Sequence, residues 1–306
     1  HRSYSRLLIP FRFRSSQSLL KKNIVMAETL YQQYVHQHGV PDVIHPHNFL
    51  YAGGIAAFLY EKYGVPFVLT EHSTAFARGL IPNEALPLID SICKQAKKLS
   101  CVSGEFKKLL QSKLGYEFHV LHNILNRSFY SENLNESENS KFTFINVALA
   151  DEKKAQGLLI KAFAESFTDD PAVKLNIVGD GPLLPLLKDQ AIKLGVGEQV
   201  IFSGRLSREG VRQAMLDADC FVLPSRYETF GVVLIEALAS GLPLIATKCG
   251  GPEDIVNCGN GVLVEIDNVE LLAEAMRALK RNKHKYDANR LREEAILRFG
   301  EAAFVN

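Results

Sequence analysis

Residues 219–256 read DCFVLPSRYETFGVVLIEALASGLPLIATKCGGPEDIV, and their pattern predicts one strand–helix–strand unit. Cys220–Leu223 is an apolar run with the length of a buried strand, and the loop Pro224-Ser225-Arg226-Tyr227-Glu228 ends it before Phe230-Gly231 opens an apolar helix. Ser240-Gly241-Leu242-Pro243 stops that helix, because glycine suits the cap and proline bars continuation. Leu244–Thr247 then reads as a second short strand. Such a unit is normally a right-handed crossover between parallel strands, with ligands seated where loops leave the carboxyl ends of the strands.

Two carboxylates, Glu228 in the loop and Glu236 in the helix, stand out in this unit. Glu236 is flanked by Val232, Val233, Leu234, Ile235, Ala237, Leu238 and Ala239, and a carboxylate on so apolar a helix is expensive to bury without a partner. Either it reaches solvent or a lysine, or it accepts hydrogen bonds from a diol. In the second reading the backbone N–H groups of the helix start at Phe230-Gly231-Val232 face an anion, which glycine lets approach closely.

Glu228 and Glu236 within PSRYETFGVVLIEALASGLPLIAT, followed by GGPEDIV, resemble the donor-sugar signature of the family 4 retaining glycosyltransferases. The resemblance extends back through IVGDGP at Ile177–Pro182 and VIFSGRLS at Val200–Ser207, and less tightly to about residue 40. It implies the GT-B fold, two facing Rossmann-like α/β domains. Residues 1–140 are expected to form a partial N-terminal, acceptor-side domain with its linker, and residues 141–306 the C-terminal domain that binds the nucleotide sugar.

Composition sets the outer limits. A chain of 306 residues is comfortable for two domains, and 47% hydrophobic with 23% charged residues describes an ordinary globular protein. Net charge is +1, with a mildly basic first half and a mildly acidic second, which gives no basis for nucleic-acid binding. Five cysteines (Cys93, Cys101, Cys220, Cys249, Cys258) form no CxxC pair, as expected of reduced thiols in the cytoplasm. No apolar run reaches 18 residues, and the nine histidines offer only the weak pair His45-Pro46-His47 as a metal pattern. Between His1 and Asn23 lie Arg2, Arg6, Arg12, Arg14, Lys21 and Lys22 without an acidic residue. This is either a solvated face or a basic patch that touches anionic lipid or a charged acceptor, the lipid placing the protein peripherally at the inner face of a membrane.

Outward from the central unit, strands alternate with helices. A helix to about His38 leads to strands at Asp42–His45, Pro66–Thr70, Leu99–Val102 and Phe118–Leu121, with helices at Tyr51–Tyr63, up to about Ala96, and Ser103–Leu114. Leu125–Ser140 is polar and aperiodic, the expected linker. Then come the strand Phe142–Val147, the helix Leu158–Phe167, the strand Val173–Val178, a helix ending near Gly195, the strand Val200–Ser203 and a helix capped by Ser207. Val262–Val264 is a last strand, followed by helices over Val269–Leu279 and Tyr286–Phe299. The family's opening strand and its glycine-rich loop find no match, and Arg298-Phe299-Gly300-Glu301 resembles the start of its final helix. The expectation is a fragment of a longer enzyme, incomplete in the N-terminal domain and slightly short at the other end.

The resemblance assigns roles residue by residue. His72, in PFVLTEH, matches the histidine beside the sugar that helps orient donor and acceptor. Lys154 matches the lysine that neutralises the donor pyrophosphate, with Lys153 as the fallback. Family members carry an arginine shortly before this lysine in a Gly-Arg-Leu context, where this chain has Val147-Ala148-Leu149. Gly179 and Gly181 either let a strand-end loop pass close to the nucleotide or make a plain turn, and Gly250-Gly251 is open to the same two readings. Arg205 frames the base, Glu228 holds sugar hydroxyls, and Glu236 grips the ribose diol.

The implied function is transfer of a hexose-type sugar from a UDP- or GDP-sugar, the co-substrate, to an acceptor glycan or lipid-linked saccharide. The resemblance implies retention at the anomeric carbon, no metal and no other cofactor. A sugar-nucleotide epimerase or phosphorylase of the same fold, or a noncatalytic sugar-nucleotide binding protein, are the alternatives, the missing arginine favouring the last.

Overall fold

The computed structural model describes residues 16–130 and 141–305. Arg2, Arg6, Arg12 and Arg14 of the basic segment and residues 131–140 of the expected linker lie outside the described residues, as do the side chains of Lys21 and Lys22. The chain divides into two units. One runs through Cys101 and resumes over Leu110–His119; the other takes Val102–Leu109 and the chain from Val120 onward.

The first unit holds α1 (Ser16–His38), α2 (Gly54–Tyr63), β1 (Val68–Glu71), α3 (Leu86–Gln95) and β2 (Lys98–Cys101). α4 (Gly104–Leu114) and β3 (His119–Val120) straddle the division, and the sheet order is β1-β2-β3, with β1 and β2 parallel. Ser103 caps α4 as expected, accepting from the Phe106 N–H at 3.2 Å.

The expected strand Asp42–His45 is not a continuous one. Ile44 and His47 make isolated parallel bridges to Phe67 and Thr70. Ile44 N–H donates to Pro66 and Val68 N–H to Ile44, while Thr70 N–H donates to Pro46 and Asn48 N–H to Thr70. Continuing that ladder calls for an N–H at residue 46, and proline has none.

The second unit is a six-stranded sheet of β4 (Phe142–Val147), β5 (Val173–Val178), β6 (Val200–Gly204), β7 (Cys220–Leu223), β8 (Leu244–Thr247) and β9 (Gly261–Val264). Its order is β6-β5-β4-β7-β8-β9, and every neighbouring pair is parallel. All residues of β7 and β8 are buried, as continuous apolar runs in a covered parallel sheet require. The connecting helices are α5 (Gln156–Phe167), α6 (Leu184–Lys193), α7 (Arg208–Leu216), α8 (Val232–Ala239) and α9 (Val269–Arg281), followed by α10 (Ala288–Phe299) and α11 (Glu301–Val305). Phe144, Phe163, Phe167, Leu175, Val222 and Met276 form the centre of its core.

Ser207, Asn268 and Asp287 cap α7, α9 and α10 through side-chain acceptors. Asp287 explains why α10 starts two residues later than the expected Tyr286: its carboxylate takes the Arg290 N–H and fixes the helix start. The expected linker also begins too early. Leu125 and Phe129 are buried, and Leu125 N–H donates to the Phe299 carbonyl at 2.8 Å. Among the described residues no helix is long and apolar enough to cross a membrane.

Strand order places the functional loops. Residues following β4 lead to β5 on one side, whereas β7 lies on the other side of β4, so the carboxyl ends of β4 and β7 flank the switch point of the sheet. The loop after β5 is pressed onto the loop after β4. Gly179 has φ 137° and a Cβ there would stand 1.9 Å from the Ala148 carbonyl oxygen; at Gly181, φ 154°, it would stand 2.6 Å from that of Ala150. Chain-to-chain packing therefore accounts for both glycines.

Substituting Gly179→Ala is expected to lower stability by several kcal/mol, since it combines a forbidden φ with a backbone overlap. Gly204→Ala, at φ 65° with nothing within 4 Å, meets only the backbone term and is expected to cost about 1 kcal/mol. Urea or thermal unfolding of the two variants checks the contrast.

Candidate active site

The loops leaving β4 and β7 meet through an ion pair. Lys154 Nζ lies 2.5 Å from Glu228 Oε1, and the two side chains are only 17% and 11% exposed. Ser225 Oγ donates to the same Glu228 oxygen at 2.8 Å. The backbone of each loop is fixed by the other. Arg226 N–H donates to the Lys153 carbonyl at 2.7 Å, and the Arg226 guanidinium donates to the Glu152 carbonyl at 2.8 Å and to Asp267 at 2.7 Å. Asp151 caps the short turn Glu152–Lys154 by accepting the Lys153 N–H. Of the two candidate lysines, Lys154 is the one turned onto Glu228 and into the cleft. Arg226 went unrecognised from sequence because its work is to hold backbone, and no residue pattern announces that.

An open cleft of about 720 Å³ lies at the ends of β4, β5 and β6, and neither Glu228 nor Glu236 is among the residues that line it. Lys154, Gly179 and Arg205 line it, with Leu149, Val211 and Val233 as an apolar wall. Val233 lines the cleft, and Val232, whose backbone N–H the sequence reading assigned to an anion, is the first residue of α8 with its side chain exposed. Phe230 is buried, its ring stacked on His122 at 5.4 Å between centroids and edge-on to Phe299 at 5.7 Å. Its ring is thus committed to the core, and only backbone remains to face a ligand. Gly231 begins α8 at φ 98° and, being glycine, offers no side chain to cap it. Leu234 N–H turns back to the Gly231 carbonyl at 2.9 Å, which leaves the N–H groups of Val232 and Val233 ahead of it at the helix start.

Gly250 and Gly251 follow β8. The Gly250 N–H is taken by the Glu253 carboxylate at 3.0 Å, and a Cβ on Gly251 would stand 2.4 Å from the Phe230 nitrogen. Their structural reading is sufficient.

Glu236 is half-buried on α8, and its carboxylate makes no hydrogen bond or ion pair that the structure describes, unlike Glu228. Burial pushes the carboxyl up to about 7, and the positive charge of Arg208, at the start of α7, pulls it back only in part. No lysine partner is found for it among the described residues, and its half-exposed position leaves its oxygens to solvent in the free protein. A half-buried acceptor with two free oxygens is what a vicinal diol satisfies.

His72 belongs to the first unit. Its N–H donates to Asn48 Oδ1 and to Glu71 Oε1, each at 3.0 Å, and its Nε2 lies 2.8 Å from His47 Nδ1. Glu71 is 1% exposed and also accepts the N–H groups of Phe49 and Ser73, a buried carboxylate the sequence reading passed over. Burial first, and then the neighbouring His47 and His45, hold the His72 imidazole below its ordinary pKa. Among the described residues no group of three His, Cys, Asp or Glu side chains is arranged to hold a metal ion.

The chain as a whole is similar to known proteins. The Glycosyl transferases group 1 model matches residues 127–298, and the Glycosyltransferase Family 4 model matches residues 6–129. An uncharacterized glycosyltransferase of Methanocaldococcus jannaschii is 29% identical over 252 residues, 79% of this chain and 66% of that protein. Glycogen synthase of Mycobacterium tuberculosis is 28% identical over 249 residues, 78% of this chain and 60% of that protein. The chain thus spans less than two thirds of the length of these curated relatives. Among solved structures, sucrose-phosphate synthase from Thermosynechococcus elongatus superposes with TM-score 0.81 at 20% identity, over 97% of this chain and 79% of that one. Anabaena HepE in complex with UDP gives TM-score 0.78 at 22% identity, over 94% and 79%. These likenesses establish the GT-B fold.

Glu236 yields a test that needs no substrate. Below pH 4 the carboxyl is protonated in both folded and unfolded chains and contributes nothing to stability. Because its folded pKa is raised, the penalty grows as pH climbs from 4.5 to about 7 and is complete above that, at about 3 kcal/mol. Glu236→Gln is therefore expected to unfold at a higher temperature than the parent at pH 8, with the gap closing at pH 4. A gap independent of pH would mean that the carboxylate is not desolvated.

Proposed function

The chain belongs to the Glycosyl transferases group 1 family, and from that premise we propose that it transfers a hexose-type sugar from a UDP- or GDP-sugar to an acceptor hydroxyl, retaining the anomeric configuration. The observation that carries the reading is Glu236, a desolvated carboxylate without a partner beside an uncapped helix start. A diol on one side and a diphosphate on the other describe a nucleoside diphosphate.

The roles proposed for the second unit are these. Glu236 accepts the two ribose hydroxyls, and Arg205 with the apolar wall of the cleft frames the base. The diphosphate lies against the first N–H groups of α8 and Lys154, which meet the charge that develops on the leaving group without calling on a metal ion. Glu228, held by Lys154 and Ser225, is left to bind sugar hydroxyls. In the proposed step the bond from the anomeric carbon to the β-phosphate oxygen breaks, and the acceptor oxygen forms its bond on the same face. The acceptor's proton passes to the departing phosphate oxygen. His72, held below its ordinary pKa by burial and its neighbours, orients the sugar and the acceptor.

The acceptor is a glycan or a lipid-linked saccharide, and the work belongs to the making of a cell-surface polysaccharide, lipopolysaccharide or glycolipid. Five free cysteines suit the cytoplasmic side, at the inner face of the membrane if the basic N-terminal segment meets anionic lipid. Ala148, standing where relatives of this type carry an arginine nearby, favours one second reading, a binding protein that holds sugar nucleotides without turning them over.

The deciding experiment is a screen of UDP- and GDP-sugars by thermal shift, followed by a transfer assay with the donor that binds. At 100 times its Kd a donor adds about 2.7 kcal/mol of stability. Binding with transfer supports the reading; binding without transfer selects the second one; release of sugar to water or phosphate would replace it with hydrolase or phosphorylase chemistry. Glu236→Ala is expected to weaken the nucleoside diphosphate by about 1.5–3 kcal/mol, with or without its sugar, the range for hydrogen bonds to a charged acceptor. His72→Ala should cut turnover sharply while donor affinity stays within a few fold.

A further inference from the structure

Within the first unit three imidazoles stand in a row. The rings of His45 and His47 lie 4.5 Å apart between centroids and those of His47 and His72 4.9 Å apart. His45 is tied to Thr70 Oγ1 at 2.8 Å, and His47 Nδ1 meets His72 Nε2 at 2.8 Å. We propose that His47 is a positioning residue for His72, fixing the tautomer and plane of the His72 ring through the single proton shared between His47 Nδ1 and His72 Nε2. The proposal rests on the reading of His72 as an orienting group in sugar transfer.

The contact is built by backbone and does not depend on two exposed side chains finding each other. His47 is held by the bridge to β1, in which Thr70 N–H donates to Pro46 and Asn48 N–H to Thr70. Just beyond it Asn48 takes φ 77°, a conformation non-glycine residues adopt only under constraint, and its side chain accepts the His72 N–H. Glu71 closes the arrangement from beneath. Its buried carboxylate gathers the N–H groups of Phe49, His72 and Ser73, so the segment after His47 and the loop bearing His72 share one anchor. The separation of the two rings is thereby set before the side chains choose rotamers.

Chemistry then limits the pair. A gap of 2.8 Å between ring nitrogens accommodates one proton, so one ring donates and the other accepts. Charging both rings would put two N–H groups head to head and two positive charges side by side. The titratable groups around His72 within its unit are His45, His47 and Glu71. The first two oppose its protonation, as does burial, while the Glu71 carboxylate is occupied by backbone donors. His72 is therefore harder to protonate than a free histidine, and while it is neutral the shared proton selects one tautomer.

The test reads His72 directly. Nitrogen-15 spectra of histidine-labelled protein, collected across pH on the 306-residue chain, report tautomer and titration midpoint for each ring. In the parent, His72 is expected to show one tautomer and a depressed midpoint. In His47→Ala it should become a mixture of tautomers with a higher midpoint, and in His47→Asn, which keeps a hydrogen-bonding group near the place of Nδ1, the single tautomer should return. An unchanged His72 signal in His47→Ala overturns the proposal. In the transfer assay His47→Ala is expected to lower kcat about tenfold, with the donor KM within twofold and the acid limb of the pH profile moved to higher pH. Loss of donor KM in place of kcat would also overturn it. Failure of the parent to transfer sugar counts against the proposed function alone, and the spectra still decide the role of His47.

Discussion

The second unit is organised around one contact, the ion pair of Lys154 and Glu228 across the switch point of the sheet. Neither residue belongs to the same loop, and the two are far apart in sequence; only the order β5-β4-β7 brings the ends of β4 and β7 side by side. Placing both charges with little exposure is costly unless their geometry is well supported. Ser225 supplies a second donor to Glu228, and Arg226 ties its own loop to the carbonyls of Glu152 and Lys153. In the proposed reaction the same pairing keeps both groups desolvated and oriented until a diphosphate offers Lys154 a stronger partner.

Close backbone contact is the second constraint. Gly179 and Gly181 let the loop after β5 lie on the carbonyls of Ala148 and Ala150, and Gly251 lets the segment after β8 lie on the backbone of Phe230. These contacts join the loops after β4 and β5 in one pair and those after β7 and β8 in another, and the cleft lies at the first pair and the end of β6. Phe230, buried between His122 and Phe299, sets the height at which Gly231 starts α8, so the open N–H groups of that helix point from a rigid base. Glycine here is chosen by the neighbouring loop, which explains its presence even where no ligand touches it.

The strands at the centre of the sheet were legible because each is an apolar run bounded by breakers: β4, β5, β7 and β8 begin and end where the sequence places them. Edges were less so. Residues 42–48 carry strand-like composition, but Pro46 removes the one donor that a continuous ladder needs. Among the candidate residues, Lys154, Arg205, Glu228 and Glu236 were named through the family resemblance, whereas the way Lys154 rather than Lys153 turns onto Glu228 depends on the tight turn that Asp151 caps. Glu71 and His47 were hidden for another reason. Glu71 takes the Phe49 N–H and His47 meets the His72 imidazole across more than twenty residues, and such pairings exist only once the chain is folded.

Glu236 is where stability and the proposed function part company. Every neighbour on α8 is apolar, the carboxyl is driven up to about 7, and nothing described in the free protein repays its desolvation. An alanine or a glutamine would serve the helix better, which is why a residue of this kind is informative where a well-paired Lys–Glu is not. The same unmet acceptor that costs the free chain stability strengthens each hydrogen bond it receives from a diol, because the medium around it is poor in competing water. A bound ribose would offset the penalty and, by favouring the ionised form, draw the pKa back down. Nucleotide affinity should then rise with pH up to about 7 and level off above it, and a proton should be released on binding below that point. Calorimetry of nucleoside diphosphate binding in buffers of different ionisation enthalpy measures that proton, and binding without proton release at pH 6 would detach Glu236 from the diol.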